Sequence, residues 1–266
     1  MLLEPQTSEP RRVLLVGGLD PCGGAGISAD ARTAAALGAF PLTVATCSTI
    51  QNRHGFESLH VVGEPVFTSS LRAVIEDGPI HAVKVGLIGV PRTLSLLLDV
   101  CAEQLAGVPV VVDPVLSATA GGLSPADDLV AAYQRGLARI TLVTPNHPEV
   151  ARLAPDGVAA LALECAVLLT DGHGQGEVVE DRLFEGADTH IFRHPRIDAG
   201  PIHGTGCALS TSVAVGLAKG LALPEACRCA VDFVAACVQR SRRSTDGLPV
   251  PIPLPPLGFA ADSGQA

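Results

Sequence analysis

The chain has 266 residues, of which 47% are hydrophobic and 17% charged. That balance excludes wholesale disorder and suffices for a sizeable core. A formal net charge of −9 excludes a broad nucleic-acid face, which needs a basic surface, although a local cationic pocket stays compatible with it.

In chain order, the opening MLLEPQTSEPRR has no basic segment followed by an apolar one, so no secretory signal is predicted. The longest uncharged run, 33–52, contains Gly38, Pro41, Gln51 and several threonines, and does not read as a membrane helix. The expectation is a cytoplasmic protein that does not enter membranes. VLLVGG (13–18) reads as a buried strand, GISADARTAAALGA (26–39) as a helix ended by Gly38, and PLTVATCSTI (41–50) as a second β-rich run. HAVKVGLIG (81–89) is a third. PRTLSLLLDVCAEQLAG (91–107) spaces Leu94, Leu97, Leu98, Cys101 and Leu105 as one helix face, with Pro91 near its start. VPVVVDPV, ITLVTPN and AVLLTDG repeat the continuous apolar strand that a parallel sheet covered on both faces requires. Residues 177–193 differ, with two short runs flanking the turn signal EGAD, so an antiparallel edge is predicted there. After HGTGC one helix is expected to about Lys219 and another from Pro224 to about Arg240. The predicted architecture is α/β, three-layered (α/β/α), with a mostly parallel central sheet and an antiparallel edge. It forms one domain over 1–266, with a core at about 12–240 and flexible tails at 1–11 and 247–266.

Eight cysteines are many for this length. Six of them, Cys47, Cys101, Cys165, Cys227, Cys229 and Cys237, lie in apolar stretches where a free thiol packs as a small hydrophobe. No Cys-x-x-Cys pair occurs, so neither zinc nor a disulfide framework is expected. The remaining chemistry gathers at predicted strand ends, where open parallel sheets bind ligands. The strands end in GGLDPCGGAG, in STIQN, in Asp113, in Asn146 and Glu149, in Thr170, Asp171 and Gly172, and finally in GTGC. Each alone suits an ordinary turn or helix cap; the succession of them points to a site. The glycine loop lacks the Lys-Ser/Thr of a P-loop and the spacing of a dinucleotide fingerprint.

GLDPCGGAGISAD, TIQN, AVKVGLIG, VVDPVLSATAGG, TPNHPE and HGTGCALS, in that order, resemble the hydroxymethylpyrimidine/phosphomethylpyrimidine kinase family of thiamine biosynthesis, in the ribokinase-like superfamily. The resemblance runs from about Arg12 to Arg240. It implies an ATP- and Mg²⁺-dependent phosphotransferase acting on 4-amino-5-hydroxymethyl-2-methylpyrimidine and its monophosphate. Its partners are small molecules, with no nucleic acid and no membrane, and a homodimer is left open. It assigns Gln51 to the aminopyrimidine, and Asp20, Gly23, Gly24 and Gly26 to the loop walling the substrate. Asp30 also falls at that wall, and Leu87 packs on the ring. Asn146, Glu149 and Asp113 would hold Mg²⁺; Asn146, Thr170, Gly172, Gly204 and Gly206 would meet the nucleotide. Gly204, Thr205 and Gly206 would form an anion hole, with Cys207 as the base, its thiol pKa lowered by the helix N-terminus. Thr170 stands where the family usually carries a lysine that offsets phosphate charge, and Arg53 is expected to compensate by folding over the site; His54 beside it reads as a loop residue. Pyridoxal or pyridoxine kinase activity and a non-catalytic pyrimidine-binding protein are the competing readings.

Overall fold

The computed structural model describes residues 9–116, 127–172, 174 and 176–255. β1 (Arg12–Leu19), β2 (Phe40–Asn52), β4 (Ala82–Val85), β5 (Val110–Val112), β6 (Leu142–Val143) and β7 (Ala166–Leu169) form the parallel part of a nine-stranded sheet. β3 (Gly55–Val61), β8 (Val178–Glu185) and β9 (Asp188–Pro195) complete it, in the order β3-β2-β1-β4-β5-β6-β7-β8-β9. The order reverses at β1, which pairs with β2 on one side and β4 on the other. A crevice opens there at the strands' carboxyl ends.

Strand side chains alternate between two helix layers. Val13 and Leu15 pack toward α1 (Gly26–Ala36), α7 (Thr205–Ala218) and α8 (Leu223–Gln239). Leu14 and Val16 pack toward α2 (Glu64–Glu76), α3 (Pro91–Gln104), α4 (Asp127–Gly136) and α5 (His147–Leu153). Because the central strands are buried on both faces, their sequences are almost wholly apolar runs, broken in β4 by the buried Lys84. A short α6 (Val158–Leu161) leads into β7. Among the described residues no helix is long and apolar enough to cross a membrane.

Two features differ from expectation. The predicted antiparallel edge is present as β8–β9, but β2–β3 forms a second one at the opposite side, closed by the two-residue turn Arg53–His54. The expected loose tail from 247 is docked over its described part. β11 (Val250–Pro251) pairs in parallel with β10 (Ile202–His203). Val250 N–H donates to the Pro201 carbonyl at 3.1 Å and Ile252 N–H to the His203 carbonyl at 3.0 Å. Pro251 falls between these two donors, where its missing N–H removes no bond. Ile252 is buried against Ala208 and Cys237. The rest of the two expected tails, 1–8 and 256–266, lies outside the described residues.

Candidate active site

β1 delivers the chain to Asp20, which starts the glycine loop. The buried Asp20 carboxylate accepts the N–H groups of Cys22 at 2.9 Å, Gly24 at 3.1 Å and Ala25 at 2.9 Å. His203 Nε2 lies 3.4 Å away. Burial works against ionisation of Asp20, but the His203 contact and the amides outweigh it and lower its pKa. Asp20 therefore winds the loop. A side-chain carbon on Gly26 would sit 2.2 Å from the Gly18 carbonyl, and one on Gly204 2.1 Å from the Gly24 carbonyl. Both residues also have positive φ, 58° and 91°. Only glycine lets the loop, β1 and the start of α7 meet backbone to backbone. Gly26 lines the cavity described below, whereas Gly23 and Gly24, expected as substrate contacts, do not.

β4 carries a residue whose role is not legible in the sequence motifs. Lys84 is fully buried, and its Nζ donates to both Asp30 carboxylate oxygens, at 2.9 and 2.8 Å. Thr211 of α7 donates to Asp30 Oδ1 at 2.9 Å. Burial disfavours the Lys84 ammonium, but Asp30 more than offsets it and holds the lysine pKa above its usual range. Asp30, expected at the substrate wall, is thus corrected. It has no exposed surface, does not line the cavity, and serves as the counter-ion of Lys84. The available signal was the lysine itself, since a charge inside AVKVG, in a strand covered on both faces, needs a buried partner.

α7 begins after Gly204, so the unpaired N–H groups of its first turn face the strand ends. Cys207 sits half-buried in that turn, and the Gly26 N–H, at the start of α1, points to its sulfur. The expected lowering of the thiol pKa is not found. Desolvation pushes it up to about 12; Lys84 and the Gly26 amide pull it down, while Asp30 and Asp113 add to the rise. Burial outweighs the pull of Lys84 and of the Gly26 amide.

On the far wall Asn146 caps α5. Its Oδ1 accepts Glu149 N–H at 3.0 Å, and Glu149 Oε2 accepts Asn146 N–H at 3.0 Å. Glu149 Oε1 also accepts Leu116 N–H at 3.3 Å. Desolvation, followed by repulsion from Asp113, pushes Glu149 up to about 8. Desolvation likewise pushes Asp113 up to about 6, against the pull of Lys84. Two carboxylates that disfavour each other's ionisation are a place where a cation brings relief. Among the described residues no three His, Cys, Asp or Glu side chains converge as a metal cage.

These parts enclose a cavity of about 560 Å³. Gln51, Phe56 and Leu87 wall the end toward β2 and β3; Thr170, Gly172 and Val179 line the opposite side, beside an apolar groove of Val231, Val234 and Val238 from α8. α7 packs on the central strands β4 and β5, so Gly204–Cys207 lie between the two ends. Phe56 and His203 also line the cavity, beyond the residues expected from the sequence. Phe56 was hidden because the β2–β3 hairpin was.

The sequence profile of the phosphomethylpyrimidine kinase family matches residues 20–250. The chain belongs to this family. It is 37% identical over 245 residues to the hydroxymethylpyrimidine/phosphomethylpyrimidine kinase of Streptomyces coelicolor, covering 86% of this chain and 89% of that protein. It is 35% identical over 246 residues to the protein of the same name from Rhizobium meliloti, covering 86% and 91%. Among solved structures, Bacillus subtilis pyridoxal kinase in its ADP complex superimposes with a TM-score of 0.82 at 24% identity, covering 92% of this chain and 98% of that one. This last likeness shows the ribokinase-like fold. The kinase is a phosphotransferase. Its cavity brings together Gln51, Asp20, Leu87, Asp113, Asn146, Glu149, Thr170, Gly172 and Gly204–Cys207. Arg53 is a further correction: it does not line the cavity of the kinase and bonds to residues of the C-terminal segment instead.

Proposed function

We propose that this kinase transfers the γ-phosphoryl group of ATP to the hydroxymethyl group of 4-amino-5-hydroxymethyl-2-methylpyrimidine, and then to the monophosphate, in cytoplasmic thiamine biosynthesis. The observation that carries this reading is one continuous cavity with the α7 N-terminus between a polar-aromatic end and an apolar groove. Its volume is that of a small-molecule site. Gln51, at the first end, offers both a donor and an acceptor, as an amino group beside a ring nitrogen requires. Phe56 and Leu87 give the ring apolar walls. The groove along α8 suits an adenine, with the phosphates over the free amides of α7.

Phosphoryl transfer asks a protein mainly for positioning and charge. The Gly204–Gly206 amides face the oxygens that gain charge, and Lys84 keeps a fixed positive charge beneath them. Cys207 is the group beside them that can take the hydroxyl proton. Burial holds its thiol pKa high in the free protein, so the thiol must first give up its own proton to solvent before, as thiolate, it accepts the hydroxyl proton. Asp113 and Glu149, the latter oriented by Asn146, fit Mg²⁺ held through water, as their mutual disfavour and magnesium's reluctance to dehydrate suggest. Bound there, Mg²⁺ supplies the positive charge that neutralises phosphate oxygens.

A coupled assay of ATP consumption, with the aminopyrimidine and pyridoxal side by side, tests the reading. The pyrimidine is expected to be preferred in kcat/KM by about 10²-fold or more, because unpaired buried polar groups penalise the wrong ligand. Gln51→Leu is expected to erase that preference. Preference for pyridoxal would replace the assignment with a pyridoxal kinase, and no consumption with either compound would refute turnover.

A further inference from the structure

Arg53 occupies the tip of the β2–β3 hairpin; the first pair behind the tip is Asn52 and Gly55, and the second, Gln51 and Phe56, lines the cavity with both residues. A bulge between Ile50 and Gln51 sets this tip apart from the rest of the ladder. The Arg53 guanidinium reaches across more than 190 residues of sequence. Its Nε donates to the Pro249 carbonyl at 2.9 Å, and its Nη2 to Ser244 Oγ at 2.8 Å and Asp246 Oδ1 at 2.8 Å. Asp246 in turn holds its own segment by accepting from Leu248 N–H at 3.1 Å. Pro249 lines the cavity, and the residues after it pair with Ile202 and His203, immediately before the α7 N-terminus. One short segment therefore touches the hairpin tip, the cavity and the strand that leads into the anion-binding turn.

We propose that Arg53 is a positioning residue: by latching the hairpin tip to the 244–251 strap, it holds Gln51 and Phe56 against the substrate end of the cavity. The proposal rests on the assignment of that end to the aminopyrimidine. A two-residue turn has few contacts of its own, so its angle to the sheet is set by what its tip grips. Arg53 itself does not line the cavity, whereas Gln51 and Phe56 beside it do; the strap also packs on α8 through Ile252, so the latch is expected to act more strongly on the pyrimidine than on the nucleotide.

The test uses the full chain with Arg53→Ala, Arg53→Lys and Asp246→Asn, read in two ways. Steady-state kinetics should show the aminopyrimidine KM raised about two- to fivefold by Arg53→Ala, the size expected for solvent-exposed charge-assisted bonds, with the ATP KM and kcat less affected. Arg53→Lys keeps charge but not the fork and should fall between. Amide hydrogen exchange on the substrate-free protein should speed up in Arg53→Ala only over the hairpin and the strap. An unchanged pyrimidine KM in all three variants, an equal rise in the ATP KM, or faster exchange spread over the whole sheet would overturn the proposal. If the wild type consumes no ATP with the pyrimidine, the functional assignment fails instead, and the exchange pattern still decides whether the latch exists.

Discussion

A lysine ammonium at the centre of a sheet persists only beside a carboxylate, and Lys84 meets this condition with both oxygens of Asp30. Removing one partner leaves an uncompensated buried charge, which costs about 3–5 kcal/mol, whereas replacing both by apolar groups is often close to neutral. Lys84→Met is therefore expected to lower the unfolding free energy by about that amount in urea titration, and the double variant Lys84→Met/Asp30→Leu to recover most of it. A single variant as stable as the wild type would show that the pair is not the structural unit described. The double variant should still turn over poorly, because the charge under the α7 amides is gone. At this scale stability and catalysis separate, since the fold needs the pair to be balanced and the chemistry needs the ammonium.

At the scale of elements, α5 is only seven residues long and leans on its capping box. The same Glu149 that closes the box has its pKa pushed from the ordinary 4.5 up to about 8. Between those two values the folded state keeps a proton that the unfolded chain has lost, so stability falls as pH rises through this window. Thermal unfolding in a chelator is expected to give a lower Tm at pH 8 than at pH 5.5. Glu149→Gln, which keeps an acceptor for the cap, should flatten that difference. Mg²⁺ at pH 8 should raise the wild-type Tm and leave the variant's unchanged. A wild-type Tm that does not fall across this range would contradict the burial of Glu149 beside Asp113.

For the whole molecule, what the sequence revealed and what it hid divide along a physical line. The parallel strands were legible because burial on both faces demands runs such as VPVVVDPV, and the strand ends were legible because the chain must turn polar where it leaves the sheet. What depended on distant pairing was not. Lys84 and Asp30 are 54 residues apart. β3 was missed because GFESLHV is half-exposed along its length and shows no clean alternation. The strap is not legible as ordered because proline richness hides the Val250 and Ile252 amides that dock it. The helix start before Cys207 was legible, but the desolvation that decides its thiol was not, because burial belongs to the folded molecule. The central claim is that this thiol takes the substrate's proton beside the α7 amides. It is tested most directly by single-turnover transfer from saturating ATP to the aminopyrimidine, comparing wild type with Cys207→Ala. The account predicts a rate at least about 10²-fold lower in the variant, with ATP affinity and Tm unchanged; transfer by Cys207→Ala at the wild-type rate would contradict it.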